Sequence, residues 1–315
     1  MGNMAQGQGT DSLDETPSAE VPGESRDAPL SIILPAKNES ASLRTLGPAL
    51  RARFPEAEII VVDDGSGDDT AAVARQAGLT VVSHPYSIGN GGAIKSGGRH
   101  ASGRVLVFMD ADGQHDPNDI PRLLEALGTG YDMVVGARDA GSQAGLHRLV
   151  ANEAYNLLAS WMTGHPIRDL TSGMRAVKAS KFLEFLQLLP NGFSYPTTLT
   201  MAFFRSGYPV AYVPIKAARR IGKSHVRPLR DGVRFLMIIF KIGSMYSPMK
   251  IFAPIAAFFF FVGLSYYAYT FAAMGRFTNM SALLLTTSVV VFLIGLVSEQ
   301  ITSLLYVLEQ RRRVE

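Results

Sequence analysis

The sequence predicts an α/β sheet domain followed by a pair of membrane-spanning helices, and three observations carry that reading. Between Leu30 and about Gly136, short apolar runs alternate with stretches of helical period, the pattern of parallel strands joined by crossover helices. Three of those runs stop abruptly at acidic residues, which puts the acids at the carboxyl ends of strands, where open α/β sheets bind ligands. Beyond about residue 250 the chain turns apolar, in two runs long enough to cross a bilayer.

Met1 to Ala28 is rich in Gly, Ser, Pro and acids, has almost no bulky apolar residue, and is expected to be disordered. It lacks the basic start and apolar core of a signal peptide, so no export signal is expected there. The formal net charge of +3 hides an asymmetry, because this tail is acidic and the body is correspondingly basic. Basic residues crowd Arg219 to Lys250 and Arg311 to Arg313. Beside an apolar C-terminus they point to an anionic lipid bilayer, and no nucleic-acid partner is expected. The absence of cysteine excludes disulfides and thiolate chemistry and fits a cytosolic location.

Runs of Ile, Val and Leu predict strands from Ser31 to Leu34, Glu58 to Val62, Thr80 to Ser83, Val105 to Met109 and Asp132 to Val135. Helices are expected between them, from Ala41 to Arg53, Asp69 to Ala77, Ala93 to Ala101 and Asn118 to Leu127. The chain divides into an acidic tail (1–28), a sheet domain (29–226), a juxtamembrane segment (227–250) and a transmembrane hairpin with a basic end (251–315).

The most informative stretch is VLVFMDADGQHD, Val105 to Asp116. Alternate residues of an extended chain share a face, which lets Asp110, Asp112 and Gln114 converge. Three oxygen ligands suit a hard cation, Mg²⁺ or Mn²⁺, whose other positions go to water and to oxygens of a diphosphate. A bare Asp-x-Asp is more often a solvated turn, and Asp116-Pro117-Asn118 also reads as a helix start. Two other strand ends strengthen the functional reading. PAKNES, Pro35 to Ser40, puts Glu39 near a helix start, and IIVVDDGSGDDT, Ile59 to Thr70, ends a buried strand at Asp63 and Asp64. Carboxylates gathered at one sheet edge repel one another unless a cation or ligand donors compensate. The glycine-rich GNGGAIKSGG, Gly89 to Gly98, is neither the dinucleotide fingerprint nor a phosphate loop. It reads as a tight turn before a closely packed helix, or as a place from which Lys95 approaches a phosphate.

With these motifs stand GAR at Gly136 to Arg138, DLTSGMRA at Asp169 to Ala176 and RRIGKS at Arg219 to Ser224. In this order, over roughly Leu30 to His225, the set resembles the family-2 glycosyltransferases of the polyprenyl-phosphate type. The resemblance implies a GT-A fold, an Asp-x-Asp metal site, a nucleotide-sugar donor and a polyprenyl phosphate acceptor. Carried over by position, it puts Pro35, Glu39 and Asp63 on the nucleoside, with Asp64 nearby, and makes Asp110, Asp112 and Gln114 the metal ligands. Arg138 and Arg148 would face the diphosphate and the acceptor phosphate. Ser172, Gly173 and Arg175 would belong to the acceptor-side loop, while Arg219, or Arg220 by a one-residue shift, and Ser224 would close over the donor. Three departures stand out: Lys37 where many members have an aromatic residue, His225 where Lys is frequent, and no acid in FSYPTTLT, Phe193 to Thr200.

Elementary chemistry agrees with that resemblance. A departing diphosphate is stabilised by a divalent cation and by arginines. A hydroxyl acceptor would need a general base as well. A phosphate monoester, with a second pKa near about 6, is already a nucleophile at pH 7, and the missing acid is then no loss. The expected function is inverting transfer of a hexose to undecaprenyl or dolichyl phosphate, with a lipid or glycan hydroxyl as the alternative acceptor. A phosphatase reading fails on order, since in haloacid dehalogenases the Asp-x-Asp strand comes first and here VVDD precedes DAD. The intact Asp110, Asp112 and Gln114 set disfavours a non-catalytic scaffold.

Pro228 to Phe240 puts Leu229, Val233, Leu236, Met237 and Phe240 on one helical face and Arg230, Asp231 and Arg234 on the other, an interfacial pattern. Spans are expected from Ile251 to Ala273 and from Ala282 to Leu308, the second interrupted by Glu299 and Gln300 near the interface. The short Gly275 to Met280 link makes a hairpin, and Arg311 to Arg313 place its outer ends in the cytosol. The expected protein is thus multi-pass with a cytosolic catalytic domain, and the sequence leaves room for a homo-oligomer.

Overall fold

The computed structural model describes residues 30–138, 146–192, 194–216 and 247–312, with isolated helical positions between 237 and 244. Among them, seven strands form one sheet: β1 (Leu30–Ala36), β2 (Glu58–Asp63), β3 (Thr80–Ser83), β4 (Val105–Phe108), β5 (Met133–Arg138), β6 (Arg175–Lys178) and β7 (Val210–Ile215). Their order is β3-β2-β1-β4-β6-β5-β7. The five strands expected from apolar runs all form, because β-branched and aliphatic residues suit a sheet covered on both faces.

The strands expected between Leu30 and Gly136 run in one direction, and the sheet becomes mixed only through a strand beyond that stretch. β6 lies antiparallel to both neighbours, pairing Phe108 with Arg175 and Val135 with Arg175. It is four residues long, begins with Arg and ends with Lys, so no apolar run marks it. β7 carries Pro214, whose missing N–H is tolerated because this strand is at the sheet edge.

Successive strand residues point to opposite faces, and each face has its own core. On one side Ile32, Leu34, Ile59 and Val61 meet α1 (Ser40–Arg53), α2 (Thr70–Gln76) and α4 (Ile120–Leu127) through Leu43, Leu50, Val73 and Leu123. On the other, Ile33, Ile60, Val62 and Phe108 meet α3 (Asn90–His100), α5 (Leu146–Thr163), α6 (Ala179–Glu184) and α7 (Tyr195–Arg205) through Ile94, Met162, Phe182 and Phe203. The α3 helix rests directly on this core, because a Cβ at Gly97 would overlap Ile33 and one at Gly98 would overlap Phe182. The glycine-rich stretch is therefore a closely packed helix.

Two long helices follow, α8 (Pro248–Met274) and α9 (Asn279–Arg312). Gly275, left-handed at φ 62°, ends the first. Both are long and apolar enough to cross a membrane. They touch along small residues: a Cβ at Gly295 would stand 2.7 Å from Phe252 Cβ, and Ser288 Oγ donates to Ala256 O at 2.8 Å. Glu299 of α9 accepts from Met249 N at 3.3 Å, so the acid of the second run sits at the first turn of α8. Ile251, also in that turn, is buried in the sheet domain's core beside Met162.

Candidate active site

The three acidic strand ends meet at one edge of the sheet. Ala36 pairs with Asp63, and Pro35 pairs with Val62. Counting on from the Ile33–Phe108 pair puts Asp110 level with Pro35 on the other side of β1, and Met109 N still donates to Ile33 O at 3.1 Å. β1 is thus flanked by Asp63 and by Asp110.

The β1 and β2 ends are stitched together by short polar side chains. Asn38, left-handed at φ 56°, donates its N–H to Ser66 Oγ at 2.9 Å and accepts from Gly67 N at 2.8 Å. Glu39 N donates to Thr70 Oγ1 at 2.9 Å, and the Glu39 carboxylate accepts from Ser42 Oγ at 3.3 Å. Asp63 accepts from Ser66 N at 3.0 Å.

Its neighbour Asp64 has another task. It is 4 % exposed, and its oxygens accept from His84 Nδ1 (2.8 Å), Ile88 N (2.8 Å), Ser87 Oγ (2.6 Å) and Gly89 N (2.9 Å). Burial raises the Asp64 pKa, but the hydrogen bonds from Ser87, His84, Ile88 and Gly89 outweigh it and hold the carboxyl below its usual range. Asp64, expected near the donor, thus has its acceptors engaged by the loop into α3. His84 passes the chain on to Ser96 Oγ at 2.8 Å, a link that nothing in the spacing announces.

At the third end, Asp112 is 7 % exposed and accepts from Gln114 N at 3.1 Å, which draws the motif into a turn at Gly113, φ 73°. Asp110 is half-buried, and a Cβ on Gly173 would overlap its Oδ2. Only a glycine lets the loop before β6 lie against that carboxylate. No three His, Asp or Glu residues converge among the described residues. The set that fits a cation is two carboxylates and the Gln114 amide, hard oxygen donors that leave positions for water and for a ligand. Mg²⁺ or Mn²⁺ suits these residues.

Arg138 ends β5 and is clamped there. Its Nε and Nη2 donate to Asp169 at 2.8 and 3.0 Å, and Nη2 also donates to Thr171 Oγ1 at 2.6 Å. Asp169, 3 % exposed, also accepts from Thr171 N and Ser172 N. Burial lowers the Arg138 pKa, but the Asp169 hydrogen bonds and charge, with Asp110 behind them, outweigh it and leave it raised. For Asp169, burial raises the pKa and Arg138 more than reverses it. The pair is a fixed ionic unit beside Asp110. Sequence reasoning does not single out Asp169, although Asp followed by Thr and Ser is the signature of a side chain that caps its own turn.

Arg175, placed on the acceptor side by resemblance, is fully buried and donates to Pro196 O (3.1 Å), Thr200 Oγ1 (3.2 Å) and Ser172 O (2.5 Å). Burial lowers its pKa, and the guanidinium braces α7 against the Ser172–Gly173 loop from inside. Ser172 is also fully buried. Lys95 donates to Leu189 O at 3.2 Å, so its amine serves the link before α7. Arg148 falls in the first turn of α5 with its side chain outside the described residues. Arg219, Arg220, Ser224 and most of the amphipathic stretch from Pro228 to Phe240 also lie outside them.

Comparison with known proteins agrees with this geometry. Residues 31–185 match the model of glycosyl transferase family 2, and residues 247–304 match that of the GtrB C-terminal hairpin. The polyprenol monophosphomannose synthase of Mycolicibacterium smegmatis is 32 % identical over 205 residues, 60 % of this chain and 77 % of that protein. The undecaprenyl-phosphate mannosyltransferase of Micrococcus luteus is 33 % identical over 207 residues, 61 % of this chain and 85 % of that one. Among solved structures, glucosyl-3-phosphoglycerate synthase from Mycobacterium tuberculosis, in complex with Mn²⁺, UDP-glucose and phosphoglyceric acid, superposes with a TM-score of 0.56 at 26 % identity. The overlap covers 69 % of this chain and 80 % of that one.

Proposed function

Because the chain belongs to glycosyl transferase family 2, we propose that it moves a hexose from a nucleotide-sugar donor to a polyprenyl phosphate at a membrane surface. The observation that carries this reading is the meeting of Asp110 with the clamped Arg138 at one sheet edge, through the Gly173 loop. The sheet domain (29–226) holds the chemistry, and the hairpin (251–315) anchors it through the juxtamembrane segment (227–250).

Pro35, Glu39 and Asp63 hold the nucleoside side of the donor, at the stitched ends of β1 and β2. Asp110, Asp112 and Gln114 hold Mg²⁺ or Mn²⁺, which when bound neutralises charge on the departing diphosphate. Arg138, kept cationic and oriented by Asp169, faces the same charge without reorganising. An acceptor phosphate oxygen attacks the anomeric carbon as its bond to the diphosphate breaks, and the electron pair leaves with the diphosphate, inverting the centre. No base is needed, in keeping with the buried Thr197, Thr198 and Thr200 on α7 where a carboxylate would otherwise stand. Arg148, at the start of α5, takes the acceptor phosphate, and Arg219 with Ser224 closes over the donor. The basic end at Arg311 to Arg313 supports a cytosolic side for the site.

The test is transfer by purified full-length protein from a panel of nucleotide sugars to polyprenyl phosphate and to the matching polyprenol, with Mn²⁺, Mg²⁺ or chelator. Transfer to the phosphate, abolished by chelator, is the expected result. Equal use of the alcohol would replace the phosphate reading with a hydroxyl acceptor, and full activity in chelator would remove the metal. Arg148→Ala should lower acceptor use roughly tenfold or more, the loss of one charge-assisted contact.

A further inference from the structure

An apolar face of α5 is uncovered where the hairpin leaves the sheet domain. Leu157 is 72 % exposed and Trp161, one turn on, is 49 % exposed. At this end of α5, Lys250 in the first turn of α8 donates to Trp161 O at 3.0 Å and Met162 O at 3.1 Å, a cation on the helix's unsatisfied carbonyls. The buried side of the same turn is Met162, packed in the core with Ile251 of α8. Gly243 approaches it so closely that a Cβ there would overlap the Met162 methyl. Met237 and Phe240, which precede Gly243 closely in the chain, are exposed at 58 % and 49 %.

We infer that the Leu157–Trp161 face, with Met237 and Phe240, seats in the headgroup boundary of the bilayer that the hairpin crosses. The inference rests on the hairpin being a membrane anchor, as proposed above. Continuity selects this occupant. The carbonyls of Trp161 and Met162 are bonded to the first turn of α8, so the face cannot move away from the point where the chain enters lipid. A tryptophan prefers that boundary, where its ring is apolar and its N–H stays wet. Exposed Arg168 and Lys241 suit anionic headgroups, and the acid on this side of α5, Glu153, lies towards its far end, two turns from Trp161.

Trp161 is the chain's single tryptophan, so its fluorescence reads this site alone. The full-length protein would be reconstituted in phosphatidylcholine–phosphatidylglycerol vesicles whose acyl chains carry bromine either near the headgroup or near the chain end. The expected result is a blue-shifted emission that loses more intensity to shallow than to deep bromine. The control is the double variant W161F/F258W, which moves the reporter into α8, where deep bromine should quench it. Quenching in that double variant without quenching of Trp161 in the wild type overturns the seated face and leaves the anchor standing; quenching in neither protein removes the anchor itself. A Trp161 emission that responds to protein density in the vesicle but not to bromine also overturns the proposal, because a second copy of the chain then covers the face.

Discussion

The ligand edge of the sheet and the hairpin beside it are built on opposite terms. At the edge, carboxylates are held by named donors: Asp64 takes four, and Asp169 holds Arg138 while capping its own turn. In the hairpin, contact is made by size. Gly263 and Gly295 let the helices approach, and few polar bonds cross between them, Ser288 to Ala256 O and Met249 N to Glu299. In the first region function depends on atoms being in place; in the second, on area and position. Substitutions should therefore fail differently in the two.

The sharpest loss should come from Asp112→Asn. On the proposed role it would remove a charged ligand from a cation site and should lower transfer by about a hundredfold or more, since such a metal is worth several kcal/mol to a departing diphosphate. Turnover near wild type, with an unchanged unfolding transition, would remove Asp112 from the site.

Asp64→Ala should instead cost stability, about 2–4 kcal/mol, by leaving His84, Ser87 and two backbone N–H groups unpaired in a buried loop. Denaturant unfolding of the sheet domain in the full chain measures it. The pH dependence has a definite sign. Because the folded pKa of Asp64 is lowered, its contribution is complete above the unfolded value of about 3.9 and is lost as pH falls through the folded value. The Asp64→Asn variant should lose less stability than wild type on acidification below about pH 4. Parallel acid profiles would contradict the assignment.

Gly295→Leu tests the other region. The new side chain begins 2.7 Å from Phe252 Cβ, and overpacking of that kind costs about 1–3 kcal/mol. It should part the helices while leaving nucleotide binding by the sheet domain unchanged; weaker nucleotide binding would mean the two regions are coupled.

Gly173→Ala should have the smallest effect. It adds one methyl against Asp110 Oδ2, and metal affinity should fall about tenfold, about 1.4 kcal/mol, with stability nearly constant. Titration of Mn²⁺ with nucleotide present reads it. Unchanged affinity would show that Asp110 has room to move.

This contrast also governs how much is legible in the sequence. Asp63 and Asp110 are readable because each ends a run of apolar residues, and α8 and α9 because nothing but length and apolarity defines them. The fold class and the family resemblance rest on such signals. Asp63 and Asp64 look alike in sequence, while strand alternation aims one at the ligand edge and the other at the loop after β3. The burial of Arg175 is hidden for a related reason: an arginine in a polar motif reads as a surface group, and only the antiparallel pairing of β6 shows that it points into the core. Asp169 goes unnoticed because its value lies in a partner 31 residues away.

The inserted strand has one more consequence, in the order of events as the chain is made. β4 and β5 do not touch; β6 lies between them, so the carriers of Asp110 and Arg138 have no shared framework until residue 178 has emerged. Before that, β4 presents an open edge, the kind that invites pairing with other chains. A nascent polypeptide stalled short of β6 should thus be aggregation-prone, with Asp110 and Arg138 not yet held together, whereas one stalled just past β7, with no hairpin yet made, should already have that edge assembled.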